Sequence, residues 1–127
     1  MNTNPDIHLE MQGNVAVVRL TRPTKRNALN DGLIASLRHI FENLPKEARA
    51  AVVAGEGEHF CAGLDLSELK ERDAGEGVYH SRSWHVALDR VQSGPVPVIA
   101  ALHGAVVGGG LELASACHIR VADESTF

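Results

Sequence analysis

Apolar and polar residues alternate near the start of the chain with the period of two that is typical of β-strands. Residues 7–12 and 15–21 form two such segments, separated only by Gly13 and Asn14. A short connection containing glycine is a common hairpin turn, so we predict an antiparallel β-hairpin. Residues 50–54 are a short apolar run, which predicts a buried strand.

Helical spacing follows the hairpin and returns later in the chain. Apolar residues recur three and four positions apart over residues 33–44, with Asn30 as a candidate N-cap and Pro45 as the stop. The pattern also predicts a helix from residue 64 or 66 to about 72, followed by a flexible glycine-containing loop over residues 73–77. A further helix is predicted over residues 79–92, with an apolar stripe at Trp84, Leu88 and Val91.

The last third of the chain repeats the change from strand to helix. Residues 97–102 form an apolar run, residues 111–117 have helical character, and residues 118–122 are strand-like. Together the segments give the order β-β-α-β-α-α-β-α-β. That order favours an α/β fold of stacked β-β-α units with largely parallel strands.

Three consecutive glycines, residues 108–110, occupy the turn between the strand at 97–102 and the helix at 111–117. The first N–H groups of a helix have no partner within the helix, and glycine allows a ligand to approach them closely. Glu112 follows on the first turn. This combination predicts a site for a developing oxyanion with an acid–base group beside it.

A second turn has the same construction. Ala62 and Gly63 follow the strand at residues 50–54 and lead toward a helix. Two such turns in one domain can each direct a backbone N–H group at the same oxygen atom. A converging pair of donors is the arrangement that acyl chemistry uses.

Composition narrows the functional class. The chain has 127 residues, of which 44% are hydrophobic and 22% charged, as in a globular domain. Its net charge of −4 argues against non-specific nucleic-acid binding. We find no apolar run long enough to span a membrane and no signal peptide, and the two cysteines, Cys61 and Cys117, suit a reduced cytoplasmic protein.

Other catalytic classes lack their signatures in this sequence. The seven histidines show no metal-ligand spacing, so no metal site is expected. No G-x-S-x-G motif surrounds a serine, and Cys61 is interpreted as a small buried residue and not as a nucleophile.

Three motifs resemble the crotonase, or enoyl-CoA hydratase/isomerase, superfamily. They are RPTKRNALN at residues 22–30, FCAGLDL at residues 60–66, and PVIAALHG followed by GGGLEL over residues 97–113. The resemblance implies the crotonase-like spiral of β-β-α units. Because members are roughly twice this long, it also implies that residues 1–127 are the N-terminal part of a single, truncated domain.

The resemblance also implies an activity. The backbone N–H groups of Leu64 and Gly109 would hold the thioester oxygen of an acyl-CoA, and Glu112 corresponds to the first of the two glutamates of the hydratases. The most favoured reaction is the addition of water to a 2-enoyl-CoA. The second glutamate would lie beyond Phe127, so isomerase, thioester hydrolase or decarboxylase activity is an alternative, as is a non-catalytic acyl-CoA- or RNA-binding protein.

Coenzyme A contacts and assembly are implied in the same way. Coenzyme A would enter as part of the substrate, with no separate cofactor, and the family assembles as homotrimers or dimers of trimers. The positions that match coenzyme A contacts are Lys25, Arg26, Ala28, Ala62, Gly63, Asp65, Leu66 and Gly108.

Overall fold

A five-stranded sheet and three α-helices make up the fold in a computed structural model, which describes residues 3–68 and 73–127. Short 3-10 turns at Pro23–Lys25 and Leu66–Glu68 complete it. The strands are β1 (Ile7–Gln12), β2 (Val15–Leu20), β3 (Ala50–Gly55), β4 (Val98–Leu102) and β5 (Ile119–Ala122). The helices are α1 (Asp31–Glu42), α2 (Ala74–Gln92) and α3 (Gly109–Ala116).

The strands lie in the sheet in the order in which they occur along the chain. β1 and β2 form the predicted antiparallel hairpin, with Ile7 opposite Leu20. β2, β3, β4 and β5 then pair in parallel. The predicted α/β class with largely parallel strands is therefore confirmed. Parallel neighbours place the carboxyl ends of β3 and β4, and the loops that leave them, at the same edge of the sheet.

Helix α1 forms for the reasons that its sequence indicates. The Asn30 side chain caps it by accepting a hydrogen bond from the N–H group of Leu33 at 2.8 Å. Leu33, Leu37 and Phe41 are buried on one face and belong to the same hydrophobic core as the inward side chains of the sheet. Complete burial of such a side chain stabilises the fold by about 1.5–3 kcal/mol.

Helix α2 begins five residues earlier than the sequence pattern predicts. The loop expected over residues 73–77 is instead the first turn of this helix, so that prediction is wrong. The Asp73 side chain accepts a hydrogen bond from the N–H group of Glu76 at 2.8 Å. This cap starts the helix despite Gly75 and Gly77, whose low helix propensity had suggested a loop.

Two further boundaries differ from the prediction. Helix α3 begins at Gly109, two residues before the predicted start, so the second and third glycines of the triplet lie inside it. Where a helix was predicted from residue 64 or 66 to 72, the structure has the 3-10 turn Leu66–Glu68, and residues 69–72 lie outside the described residues.

The side of the sheet formed by β5 carries exposed apolar side chains. Ile119 and Val121 are 55% and 59% exposed, and Phe127 lies beyond them at 71%. None of the helices in residues 3–68 and 73–127 combines the length and the apolar character needed to cross a membrane.

Candidate active site

The two turns singled out in the sequence lie against each other. The loop after β3 and the loop after β4 pair in parallel at Cys61 and Val106. The N–H group of Cys61 donates to the carbonyl of Ala105 at 3.0 Å, and the N–H group of Val107 donates to the carbonyl of Cys61 at 3.2 Å. The expectation that both turns lie in one place is met because β3 and β4 are parallel neighbours.

Gly63 is required where the two loops approach most closely. Its φ is +99°, in the region that residues with a side chain rarely adopt. A Cβ atom here would lie 2.8 Å from the carbonyl oxygen of Val107 and 3.3 Å from the nitrogen of Gly109. Gly108, with a φ of +56°, makes the turn on the other side. Gly63 and Gly108 therefore allow the backbone of the loop after β3 to approach the backbone of the loop after β4.

Two backbone N–H groups at this contact are left without an acceptor. Among the residues that the structure describes, those of Leu64 and Gly109 donate no hydrogen bond. Their neighbours do: the N–H group of Asp65 bonds to the carbonyl of Leu29 at 2.8 Å, and that of Gly110 to the carbonyl of Val107 at 2.9 Å. Two unsatisfied donors beside close-packed backbone are available to a ligand oxygen.

A cavity of about 200 Å³ joins these donors to the candidate acid–base group. Leu64, His80, Trp84, Gly109 and Glu112 line it. Glu112 lies on the first turn of α3, as the sequence indicated, and it is exposed. The structure thus brings the three residues assigned to catalysis, Leu64, Gly109 and Glu112, to one space.

His80 and Trp84 also line this cavity, and the sequence did not identify either as a site residue. They lie one turn apart on α2 with ring centroids 5.6 Å apart. The Trp84 ring is close to the backbone donor: its Cζ3 atom lies 3.1 Å from where a Cβ of Gly109 would be. Helical spacing had placed Trp84 in an apolar stripe, and no local motif distinguishes His80 from the other histidines.

The first motif contains three cations, Arg22, Lys25 and Arg26, which form a basic cluster in the sequence and have different environments in the folded chain. The half-buried Arg22 guanidinium pairs with Asp65, with Nη2 2.8 Å from Oδ2, and also donates to the carbonyl of Ala28 at 2.9 Å. Lys25 and Arg26 remain exposed. Arg22 therefore has a structural role, and two cations of the cluster stay accessible to a phosphate.

The Asp65 carboxylate is bound by neighbouring residues of the fold. Its Oδ1 accepts hydrogen bonds from the hydroxyl of Ser67 at 2.6 Å and from the N–H group of Ser67 at 3.0 Å. These bonds, with the Arg22 ion pair, lower the pKa of Asp65 to about 2. Its carboxylate is already paired, so a coenzyme A contact at this position would have to use the backbone.

The other positions matched to coenzyme A contacts surround the same loops. Ala28 is buried, Leu66 and Gly108 are exposed, and Ala62 is half-buried. The N–H group of Ala62 donates to the carbonyl of Arg26 at 3.0 Å, and the N–H group of Leu29 to the carbonyl of Gly63. The first motif is therefore held directly against the turn that carries Leu64.

The cysteines fit the interpretation as buried side chains. Cys61 and Cys117 are both free and buried. Burial raises the pKa of each thiol to about 11, which keeps both protonated and poorly nucleophilic near neutral pH. Within the described ranges, no cluster of three potential metal ligands occurs.

Comparison with known proteins identifies the family. The sequence profile of the enoyl-CoA hydratase/isomerase family matches residues 10–127. This chain belongs to that family. Its structure superimposes on that of the candidate enoyl-CoA hydratase of Rhodopseudomonas palustris with a TM-score of 0.93 and 56% identity, covering 96% of this chain and 48% of that one. The crotonase fold expected from the motifs is thus confirmed.

Two further family members show the range of its chemistry. The mouse mitochondrial Delta(3,5)-Delta(2,4)-dienoyl-CoA isomerase is 35% identical, over 91% of this chain and 39% of its own length. The candidate enoyl-CoA hydratase of Thermobifida fusca, crystallised with acetoacetyl-CoA, is 27% identical with a TM-score of 0.86, over 96% of this chain and 52% of that one. The chain spans about two fifths to one half of these relatives.

Proposed function

We propose that the protein carrying this sequence is an acyl-CoA enzyme that adds water to a 2-enoyl-CoA through an enolate. The observation that carries the proposal is the cavity shared by Leu64, Gly109 and Glu112, with two unpaired N–H groups beside a carboxylate. Donors fixed in advance around a developing negative charge are often the largest single contribution to enzymatic rate enhancement.

The proposed reaction uses the two N–H groups to hold the thioester oxygen and Glu112 to move one proton. The water oxygen bonds to C3 of the substrate as one of its O–H bonds breaks, and Glu112 takes that proton. The electron pair of the C2–C3 double bond moves toward the thioester, whose oxygen becomes negative and accepts hydrogen bonds from Leu64 and Gly109. Glu112 then gives the proton to C2, which completes a 3-hydroxyacyl-CoA.

Binding of the coenzyme A portion is proposed for the loops around the cavity. The exposed side chains of Lys25 and Arg26 would contact the phosphates of coenzyme A. The backbone near Ala28, Asp65 and Leu66 would contact the rest of the coenzyme A molecule. The acetoacetyl-CoA in the Thermobifida fusca structure supports an acyl-CoA ligand. No separate cofactor is expected. A homotrimer or dimer of trimers and a cytoplasmic location also stay predictions.

Isomerisation is the second candidate, favoured by the likeness to the mouse dienoyl-CoA isomerase. An enolate of the thioester also forms when Glu112 removes a proton from C2 of an unsaturated acyl-CoA, and the double bond moves when that proton returns to another carbon. The two N–H donors and the Glu112 carboxylate would serve both reactions, so hydration and isomerisation are distinguished by their products.

The test is hydration of but-2-enoyl-CoA by the protein carrying this sequence, together with exchange of the C2 hydrogen of butyryl-CoA in D₂O. Glu112→Gln should lower both rates by about 10²–10⁴-fold, because it removes the proton acceptor and keeps the side-chain shape. Glu47→Gln, at an exposed glutamate outside the cavity, is the matched control and should change neither.

The outcomes separate the candidate functions. Exchange without hydration would favour the isomerase or another enolate reaction of the superfamily. Acyl-CoA binding without either reaction would favour the non-catalytic binding protein. Full activity of Glu112→Gln would contradict the role given to Glu112.

A further inference from the structure

Gly109 supplies a donor to the proposed site but has no side chain that could hold this donor in place. In the peptide group that contains its N–H, the carbonyl of Gly108 accepts a hydrogen bond from the N–H group of Glu112 at 3.0 Å. This bond fixes the direction of the Gly109 N–H group relative to α3. Gly108 is the N-cap of α3 and adds no side-chain cap. The position of this first turn relative to the cavity therefore depends on the side chains that pack against it.

The indole ring of Trp84 fills the space beside Gly109 that a side chain would occupy. A Cβ atom on Gly109 would lie 3.1 Å from Cζ3 of Trp84 and 3.4 Å from Cδ1 of Leu29. Leu29 is completely buried in the core, and Trp84 is half-buried and packs against the same core. The first turn of α3 is therefore seated against two side chains, of which Trp84 is the one that also lines the cavity.

Asp31, the first residue of α1, holds the other end of the indole. Its Oδ1 accepts a hydrogen bond from Nε1 of Trp84 at 3.3 Å. Nε1 belongs to the pyrrole ring of the indole and Cζ3 to the benzene ring, so the side chain is held at both ends, between α1 and α3. A hydrogen bond to an ionised acceptor is stronger than one between neutral groups, which makes the carboxylate an effective anchor.

His80 gives α2 a second contact with Asp31. It precedes Trp84 by one helical turn, and its Nδ1 atom lies 3.0 Å from the same Asp31 oxygen. The rings of His80 and Trp84 have centroids 5.6 Å apart and planes inclined by 42°. A movement of this part of α2 away from α1 would therefore disturb two contacts with Asp31.

The second donor, Leu64, is held in a different way. It pairs with Leu29 in an isolated parallel β-bridge. The N–H group of Leu29 donates to the carbonyl of Gly63 at 2.6 Å, and the N–H group of Asp65 donates to the carbonyl of Leu29 at 2.8 Å. Backbone hydrogen bonds on both sides thus fix the Leu64 N–H group, whereas Gly109 depends on a side chain from another helix. Loss of that side chain should displace one donor and leave the other in place.

We propose that Trp84, anchored by Asp31, is a positioning residue that keeps the Gly109 N–H group directed at the thioester oxygen. The inference rests on the proposed function, because that function places the oxygen between Leu64 and Gly109. Glu112 lies on the same first turn of α3, so a shift of this turn would also move the proton acceptor. Small shifts matter, since a misplacement of about 1 Å can lower a rate by roughly 10²-fold.

The test is the infrared carbonyl frequency of bound butyryl-CoA that is labelled with carbon-13 at the thioester carbonyl. This ligand has no double bond to hydrate. Hydrogen bonds to the carbonyl oxygen polarise the C=O bond and lower its stretching frequency. We expect the wild-type protein to lower the frequency relative to buffer, and Trp84→Leu to lose most of this lowering. The kcat of Trp84→Leu for hydration of but-2-enoyl-CoA should fall by about 10- to 100-fold, while the dissociation constant of butyryl-CoA changes by less than about threefold.

Tyr79→Leu is the matched control, because Tyr79 is an aromatic residue of the same helix that is 76% exposed and lies outside the five residues that line the cavity. It should change neither the frequency nor kcat.

Asp31 offers an independent pair of variants, because it does not line the cavity itself. Asp31→Ala and Asp31→Asn both remove its charge, but only asparagine keeps an oxygen that can accept the hydrogen bond from Trp84. Asp31→Ala should lose part of the frequency lowering and about three- to tenfold in kcat, the effect of one hydrogen bond. Asp31→Asn should retain most of both.

Circular dichroism checks that each variant folds. If Trp84→Leu does not, Trp84→Phe replaces it, since phenylalanine keeps an aromatic ring but cannot donate to Asp31, and the same direction of change is expected. An unchanged carbonyl frequency in the Trp84 variant, or equal losses in Asp31→Ala and Asp31→Asn, would overturn the inference. A wild-type protein that lowers the frequency, loses this lowering with Trp84 and hydrates nothing would support the inference and contradict only the proposed reaction. Binding to the wild-type protein with no lowering of the frequency would contradict both.

Discussion

Asp65 and Glu112 are two carboxylates that follow the two candidate oxyanion donors, and the fold treats them in opposite ways. Asp65 comes directly after Leu64, is buried, and is paired with Arg22 and Ser67. Glu112 comes three residues after Gly109, is exposed, and lines the cavity. Similar turns thus carry one carboxylate that holds the loop in place and one that is free for chemistry.

Asp65 is paired and Glu112 is exposed because the two carboxylates lie in different surroundings. The loop of Asp65 lies against the first motif. There Arg22 supplies a half-buried cation, and the Leu29 carbonyl accepts a hydrogen bond from the Asp65 N–H group. The chain at Glu112 has already entered helix α3, so its side chain leaves the backbone toward the cavity. A paired carboxylate with a lowered pKa is a poor proton acceptor, which is why the proposed reaction gives proton transfer to Glu112 and not to Asp65.

The largest disruption of both regions is expected from Gly63→Ala, because this glycine lets the Asp65 loop approach the helix that bears Glu112. A φ of +99° and the carbonyl of Val107 both oppose a Cβ atom. We expect the free energy of unfolding to fall by about 1–3 kcal/mol. Displacement of a donor should lower kcat by about 10²-fold or more.

Chemical denaturation and hydration kinetics measure these two effects. Gly77→Ala is the control, because a Cβ at this position in α2 meets nothing within 4 Å. It should stabilise the protein by about 0.5–1 kcal/mol. A fully active and stable Gly63→Ala protein would mean that the close contact of the two loops is dispensable.

Asp65→Asn tests whether the ionised Asp65 carboxylate stabilises the fold. It removes the charge paired with Arg22, so the midpoint of thermal unfolding should fall, by roughly 5 °C or more above pH 4. The pKa of Asp65 is lowered from 3.8 to about 2 in the folded state, so its contribution is present above pH 3.8 and is lost as the pH falls through 2.

Thermal unfolding of both proteins between pH 2 and pH 6 checks this. The difference in Tm between wild type and Asp65→Asn should narrow across the window from pH 3.8 to about 2. A constant difference over the whole range would contradict a role for the ionised carboxylate. Glu112→Gln, in contrast, should leave Tm nearly unchanged because it replaces an exposed side chain.

The smallest effect is expected at the exposed cations of the first motif. Replacing Lys25 and Arg26 by Ala together should weaken coenzyme A binding about three- to tenfold and leave kcat unchanged, since exposed ion pairs each contribute little. The loss should diminish as salt is added. Calorimetry with coenzyme A at two salt concentrations measures it, and unchanged affinity at low salt would remove both residues from the proposed binding site.

Much of the fold could be predicted from local pattern. The hairpin, the helix capped by Asn30, and the parallel strands follow from periodicity, capping and connection length, which act between residues close in sequence. The start of α2 could not be placed, because the glycines at 75 and 77 and the cap at Asp73 give opposing local signals. In the structure the helix nevertheless begins at Ala74.

Sequence by itself determined the family, the two glycine turns, and the choice of Leu64, Gly109 and Glu112 as candidate catalytic residues, because each depends on a short contiguous motif. Only the tertiary structure decided that Asp65 is paired with Arg22, 43 residues away. It also decided that Asp31, His80 and Trp84 meet beside the cavity. Such contacts depend on how α1, α2 and the sheet pack, and no local periodicity encodes a pairing between distant side chains.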